Sequence, residues 1–272
     1  MRLAIHHLTR YSFDEPVAHG LQRLRLTPKA TSGQIVIEWR MGLEGATCEA
    51  EYDDHNHNRT TLIAILPGTR ELTVSCEGLV DTADNAGVIG RHAGHLPLWH
   101  FLDQTPATRP GARMRALVAG LSVDDDPVAT LHRLSAKILK DIPYQPGHTD
   151  VETVAEEALG AGRGVCQDHA QIFVGCARML GVPARYVSGY LMMNDRVEQE
   201  AGHAWAEAHV DGLGWVGFDV SNGISPDSRY VRVATGRDYR EAAPLTGISY
   251  GGRDHAMHVR LAVEQQVGPS GQ

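Results

Sequence analysis

The rhythm of hydrophobic positions changes near the middle of the chain. Over the first eighty residues they fall in short runs rich in Val, Ile, Thr and Leu, at 3–13, 21–26, 34–41, 59–66 and 71–79. Turn-forming groups such as Thr27-Pro28-Lys29 and Leu66-Pro67-Gly68-Thr69 separate them, so each run is expected to form a strand. Several strands with no helix between them predict a β-rich, sandwich-like unit. Residues 81–110 are weakly patterned and rich in Gly, His and Pro. A boundary at the end of this connection divides the chain into a β-rich domain, 1–110, and a second domain, 111–272.

Beyond the boundary the period lengthens. Val128, Leu131, Leu134, Ile138 and Leu139 recur at helical spacing behind Asp126-Pro127, and Pro143 follows, so a capped helix is expected here. Thr149 or Asp150 can cap a second, short helix through Leu159, stopped by Gly160. A third helix is expected to begin around Cys166, to carry Ile172, Phe173, Cys176, Met179 and Leu180 on one face, and to end at Gly181 before Pro183. Strands at 184–191, 203–210 and 215–220 complete the pattern. Helices followed by an antiparallel sheet make this half α+β. No repeat or low-complexity segment interrupts it.

Composition narrows the partners. Of 272 residues, 42% are hydrophobic and 21% charged, the balance of a globular chain. The formal net charge of −8 and the lack of a basic cluster argue against nucleic-acid binding. No apolar run approaches the ~20 residues of a membrane helix. The start, Met1-Arg-Leu-Ala-Ile-His-His7, has no apolar core of signal-peptide length, so a cytoplasmic location with free thiols is expected. None of the cysteines, Cys48, Cys76, Cys166 and Cys176, forms a C-x-x-C pair. Cys48, Cys76 and Cys176 are expected to be small packing residues.

Cys166 differs from these by position. It lies in Gly162-Arg-Gly-Val-Cys-Gln-Asp-His-Ala170, at a helix start behind two glycines. The positive end of the helix dipole and free backbone N–H groups favour thiolate over thiol there, although Asp168 in the same first turn works against this. The N–H of Cys166 can also point at the oxygen of an attacked carbonyl. His203 opens His-Ala-Trp-Ala-Glu-Ala-His-Val210, whose alternation sets His203, Trp205, Glu207 and His209 on one face. Packing is the expected role of the Trp205 ring, and Glu207 is a candidate to line the cleft. Asp211-Gly-Leu-Gly214 turns the chain back. A hairpin centred on Asp211 sets His203 opposite Asp219, with Cβ atoms about 4.5–5.5 Å apart. One centred on Gly212 sets it opposite Ser221. A carboxylate on the imidazole would fix its tautomer and stabilise its charged form.

These residues resemble the transglutaminase-like superfamily, in particular its bacterial members with a β-rich N-terminal region. The motifs are Gly164-Val-Cys-Gln-Asp168, Gly181-Val-Pro-Ala-Arg-Tyr-Val-Ser-Gly-Tyr190, His203-Ala-Trp-Ala-Glu207 and Gly214-Trp-Val-Gly-Phe-Asp219, with Gly236-Arg-Asp-Tyr239 and Ala243-Pro-Leu-Thr-Gly247 in the tail. The resemblance implies a papain-like α+β core with Cys166, His203 and Asp219 as its triad. It also implies attack on a peptide or protein amide through a thioester, with no metal and no cofactor. Hydrolysis is favoured over transamidation, because water is always present and no channel for a second substrate is legible. Tyr144 is a candidate for the second oxyanion donor. Two departures stand out: Val220-Ser-Asn-Gly223 follows Asp219 where relatives tend to have proline and threonine, and Asp54-His-Asn-His-Asn58 replaces an aromatic and a glycine. Competing readings are an inactive binding scaffold and a metal protein built on some of the fifteen histidines, whose spacing lacks a supporting ligand pattern.

Overall fold

The computed structural model describes residues 1–252 and 255–266. The first half forms strands β1 (Arg2–Leu24), β2 (Gln34–Glu44), β3 (Ala46–Asp53), β4 (Arg59–Ile65), β5 (Thr69–Thr82) and β6 (Val88–Gly90). Helices α1 (Ala112–Val118), α2 (Pro127–Asp141), α3 (Ala155–Ala161) and α4 (Cys166–Met179) follow. The remainder is β7 (Ala184–Leu191), β8 (Glu198–Gln199), β9 (His203–Val210), β10 (Gly214–Phe218), β11 (Tyr230–Gly236), α5 (Tyr239–Ala242), β12 (Leu245–Gly251) and β13 (His255–Gln265). The architecture is α+β, as the change of period predicts.

The 3–13 and 21–26 runs prove to be one 23-residue strand, β1, with a register shift between Ser12 and Val17. Its first part is flanked by β5 and β13 and its second by β4 and β12. β1 and β13, far apart in sequence, therefore share one sheet. β3 escapes a reading by hydrophobic pattern because, among the described residues, it pairs only with β4 and is almost wholly exposed, so nothing forces its residues to alternate. Cys48 lies on it and is exposed, not packed; Cys76 and Cys176 are buried.

The second sheet runs β11-β7-β9-β10-β6, and each neighbouring pair is antiparallel. Ala204, Ala206 and Ala208 of β9 are buried, and their small side chains let the helices approach that face closely. Leu131, Leu134, Ile138, Phe173, Cys176 and Phe218 fill the main core there. The Asp126 carboxylate accepts from the Ala129 N–H and Pro127 opens α2, as the sequence implies. α3 starts later than expected, because Asp150 first closes a turn by accepting from the N–H groups of Glu152 and Thr153.

The large sheet packs on β7 and β11 through Leu3, Ile5, Val80, Tyr190, Val231 and Leu261. The Asp54–Asn58 turn docks at the same seam. Asn58 donates to the Thr235 carbonyl and accepts from the Thr235 N–H, both at 2.8 Å, while Asp54 accepts from Arg25 at 2.9 Å. The departure at this turn thus acts as a polar joint between the two sheets.

Candidate active site

Cys166 is the first residue of α4, half-buried against a cluster of Ala170, Tyr186, Ala204, Ala234 and Ala242. As first residue of a helix its N–H has no intrahelical acceptor. Asp168 turns back instead of facing the sulfur: its Oδ2 accepts from the Val165 N–H at 2.8 Å and from the Thr149 hydroxyl at 2.7 Å. Burial pushes this carboxyl up in pKa. A Cβ on Gly164 would lie 2.7 Å from that same Oδ2, so only glycine leaves room for the cap.

His203 Nε2 donates to Asp219 Oδ2 at 2.6 Å. The expected pair is made, but not by the expected register. The observed ladder runs His209 to Trp215 and Glu207 to Gly217, so the hairpin centres on Gly212, not Asp211. Gly212 and Gly214 both take left-handed backbone (φ +84° and +82°), and this moves the turn. Each partner shifts by two residues, so Asp219 keeps the same face and becomes a diagonal neighbour of His203, about 7–8 Å away at the backbone. β10 ends at Phe218, and Asp219 instead bridges Ile224. Two side chains reaching toward each other close the rest of the gap.

The ring and carboxylate are almost sealed, at 12% and 1% side-chain exposure. Burial lowers the basicity of His203, yet the hydrogen bond to Asp219 and the interaction with the Cys166 thiol outweigh it and push the ring up to about 10. Burial works against the Asp219 anion, yet His203, Asn222 and Tyr230 together hold its pKa below the usual carboxylate range. Asn222 Nδ2 donates to Asp219 Oδ2 at 2.7 Å and the Tyr230 hydroxyl does so at 2.7 Å, while the Asn222 N–H reaches Oδ1 at 3.3 Å. The sequence reading missed both residues. Asn222 had a legible signal, an Asp-x-x-Asn-Gly turn; Tyr230 lies on a strand that the pattern did not reveal.

Ser221, the other departure after Asp219, hydrogen-bonds His169 Nδ1 at 2.8 Å, and His169 Nε2 donates to the Ile142 carbonyl at 2.8 Å. Burial keeps that second imidazole less basic than usual. Tyr144 is 53% exposed on a segment that bridges Gly164, two residues before the sulfur. Its hydroxyl is pushed up in pKa by burial and by Cys166. Glu207 does not line the cleft: it is fully buried between Arg185 (2.6 Å) and Arg232 (2.7 Å), the former stacked 3.8 Å from the Trp215 ring centroid. The two arginines overcome the burial that opposes its charge and hold it at about 2. Among the described residues, no group of three or more His, Cys, Asp or Glu side chains is placed to hold a metal ion, and no helix is long and apolar enough to cross a membrane.

A thiol at a helix start thus lies beside an imidazole that is hydrogen-bonded to a buried carboxylate. The transglutaminase-like superfamily profile matches residues 115–220, and that of the bacterial transglutaminase-like N-terminal region matches residues 3–81. The chain belongs to the transglutaminase-like superfamily. It is 30% identical over 266 residues to an uncharacterized protein of Mycobacterium leprae, covering 93% of this chain and 94% of the relative. An uncharacterized protein of Mycobacterium tuberculosis is 28% identical over 281 residues, with 92% and 88% covered. The crystal structure of a proposed cysteine protease from Cytophaga hutchinsonii superposes with a TM-score of 0.77 at 21% identity, covering 99% of this chain and 93% of that one. At that identity the likeness is one of fold.

Proposed function

We propose that the protein cleaves peptide or protein amides by thiol chemistry, with Cys166 as nucleophile, His203 as base and Asp219 as the group that orients the base. The reading rests above all on the 2.6 Å bond from His203 Nε2 to Asp219, made by a ring that also interacts with Cys166. With Nε2–H held by the carboxylate, Nδ1 is left as the acceptor for the thiol proton. The sulfur attacks the amide carbon, and the Cys166 N–H stabilises the oxygen that becomes charged. The imidazolium returns its proton to the departing amine, leaving a thioester. Water, deprotonated by His203, then releases the acid and regenerates the thiol. His203 carries the proton in each of these steps, and Asp219 keeps its ring in place. Tyr144, beside Gly164, is proposed as a further support for the charged oxygen. Hydrolysis is the preferred outcome because water competes at every turnover.

The test is mass spectrometry of a peptide library incubated with the protein and a primary amine, wild type against Cys166→Ala. Backbone cleavage or deamidation that disappears in Cys166→Ala is expected. Amine gain with loss of ammonia, in place of hydrolysis, would convert the assignment to transamidation. Equal turnover by both proteins would remove the cysteine from the reaction.

A further inference from the structure

We propose that Tyr230 is a positioning residue for the Asp219 carboxylate, and that the β-rich part of the molecule contributes to the reaction by fixing Tyr230 in place. This rests on the assignment of Cys166, His203 and Asp219 made above.

One oxygen carries the argument. Asp219 Oδ2 accepts at once from His203 Nε2, Asn222 Nδ2 and the Tyr230 hydroxyl, at 2.6–2.7 Å. An oxygen surrounded by three donors has no room for a proton of its own, so the group stays an anion aimed at the imidazole. Asn222 is only three residues from Asp219 and belongs to the same turn. Tyr230 comes from a different strand and is 5% exposed, its ring edge-on to Trp205 (5.4 Å) and near His203 (6.0 Å). Of the two donors that support the carboxylate beside the imidazole, Tyr230 is therefore the one placed by a distant part of the chain.

That position is set from the large sheet. Two residues after Tyr230, Gln34 of β2 grips the backbone of Arg232 from both sides: Oε1 accepts from its N–H at 2.7 Å and Nε2 donates to its carbonyl at 2.8 Å. Two residues before it, the Thr82 hydroxyl donates to the Ser228 carbonyl at 2.5 Å. Asn58 holds Thr235 further along β11. A displacement of the large sheet would thus move β11 and withdraw the phenol from the carboxylate. The charged and titratable groups of this cluster and its neighbours are His203 on β9, Cys166 and His169 on α4, Tyr230, Arg229 and Asp227 around the start of β11, and Tyr144.

Tyr230→Phe keeps the ring and removes only the hydroxyl. Expected is a fall in kcat of roughly tenfold or more with KM little changed, the loss of one hydrogen bond to a charged acceptor. The acid limb of kcat/KM should move to higher pH, because the carboxylate has lost a donor. Wild-type kcat with an unmoved acid limb overturns the role of Tyr230. Gln34→Leu, checked for folding by circular dichroism, should shift kcat and the acid limb in the same direction by less. A Gln34→Leu protein that melts lower but keeps wild-type kcat and profile overturns the contribution of the β-rich part. Cys166→Ala in the same assay separates the layers: if it is inactive, failure of the Tyr230 variant is failure of the positioning role alone; if it is fully active, both assignments fall.

Discussion

At the scale of single residues, the chemistry is set by how few alternatives each buried polar group has. His203 and Asp219 were legible because alternation fixes the face of a strand, and face survives a two-residue slip of register. Asn222 left only the signal of its Asp-x-x-Asn-Gly turn, and Tyr230 left none, since its importance depends on a carboxylate reached through folding. His7 follows the same logic away from the cleft. It sits between the Tyr190 hydroxyl (2.8 Å) and Thr9 Oγ1 (2.9 Å) at the seam of the two sheets, and burial pushes it down to about 4. The unfolded ring protonates below about 6.5, whereas the folded ring stays neutral to about 4. Stability should therefore decline as pH falls from 6.5 to 4, by on the order of 3 kcal/mol from this group. Melting curves of wild type and His7→Gln across that window check it: the variant's dependence should be flatter.

Among elements, α2 and α4 could be read almost to the residue because capping chemistry and glycine stops are local. β11, β12 and β13 were not picked out. Leu261 and Val263 of β13 are buried only because the strand lies beside β1, a partner more than two hundred residues away. Turns fall between these cases. Asp211-Gly-Leu-Gly214 announces a hairpin, but which glycine takes the central left-handed position decides the ladder. Gly212→Ala places a side chain at φ +84° and should destabilise the protein by about 1 kcal/mol, lowering the melting temperature by about 2–4 °C with KM unchanged. Calorimetry together with steady-state kinetics would reveal it; a variant as stable as wild type would mean the turn relaxes freely.

For the whole molecule, the change of period near residue 110 made the α+β class visible, and the matching profiles over 3–81 and 115–220 follow the same two regions. The division into 1–110 and 111–272 is a proposal about independent folding units, and it meets the fact that β12 and β13 complete the sheet of β1. Segment 111–272 expressed alone leaves both strands without their partner. Its thermal unfolding, followed by circular dichroism, is expected to lack a cooperative transition. A sharp transition would establish the division.

The pairing of β1 with β13 also dictates when the molecule can be finished. Leu3 lies against Gln265, so β1 leaves the ribosome long before its partner β13 is made. At ordinary rates of translation that interval is about 10–50 s, during which the strand's edge is open to wrong partners. A nascent chain would be expected to lean on chaperones through this period, and to close the sheet only once β13 has been made.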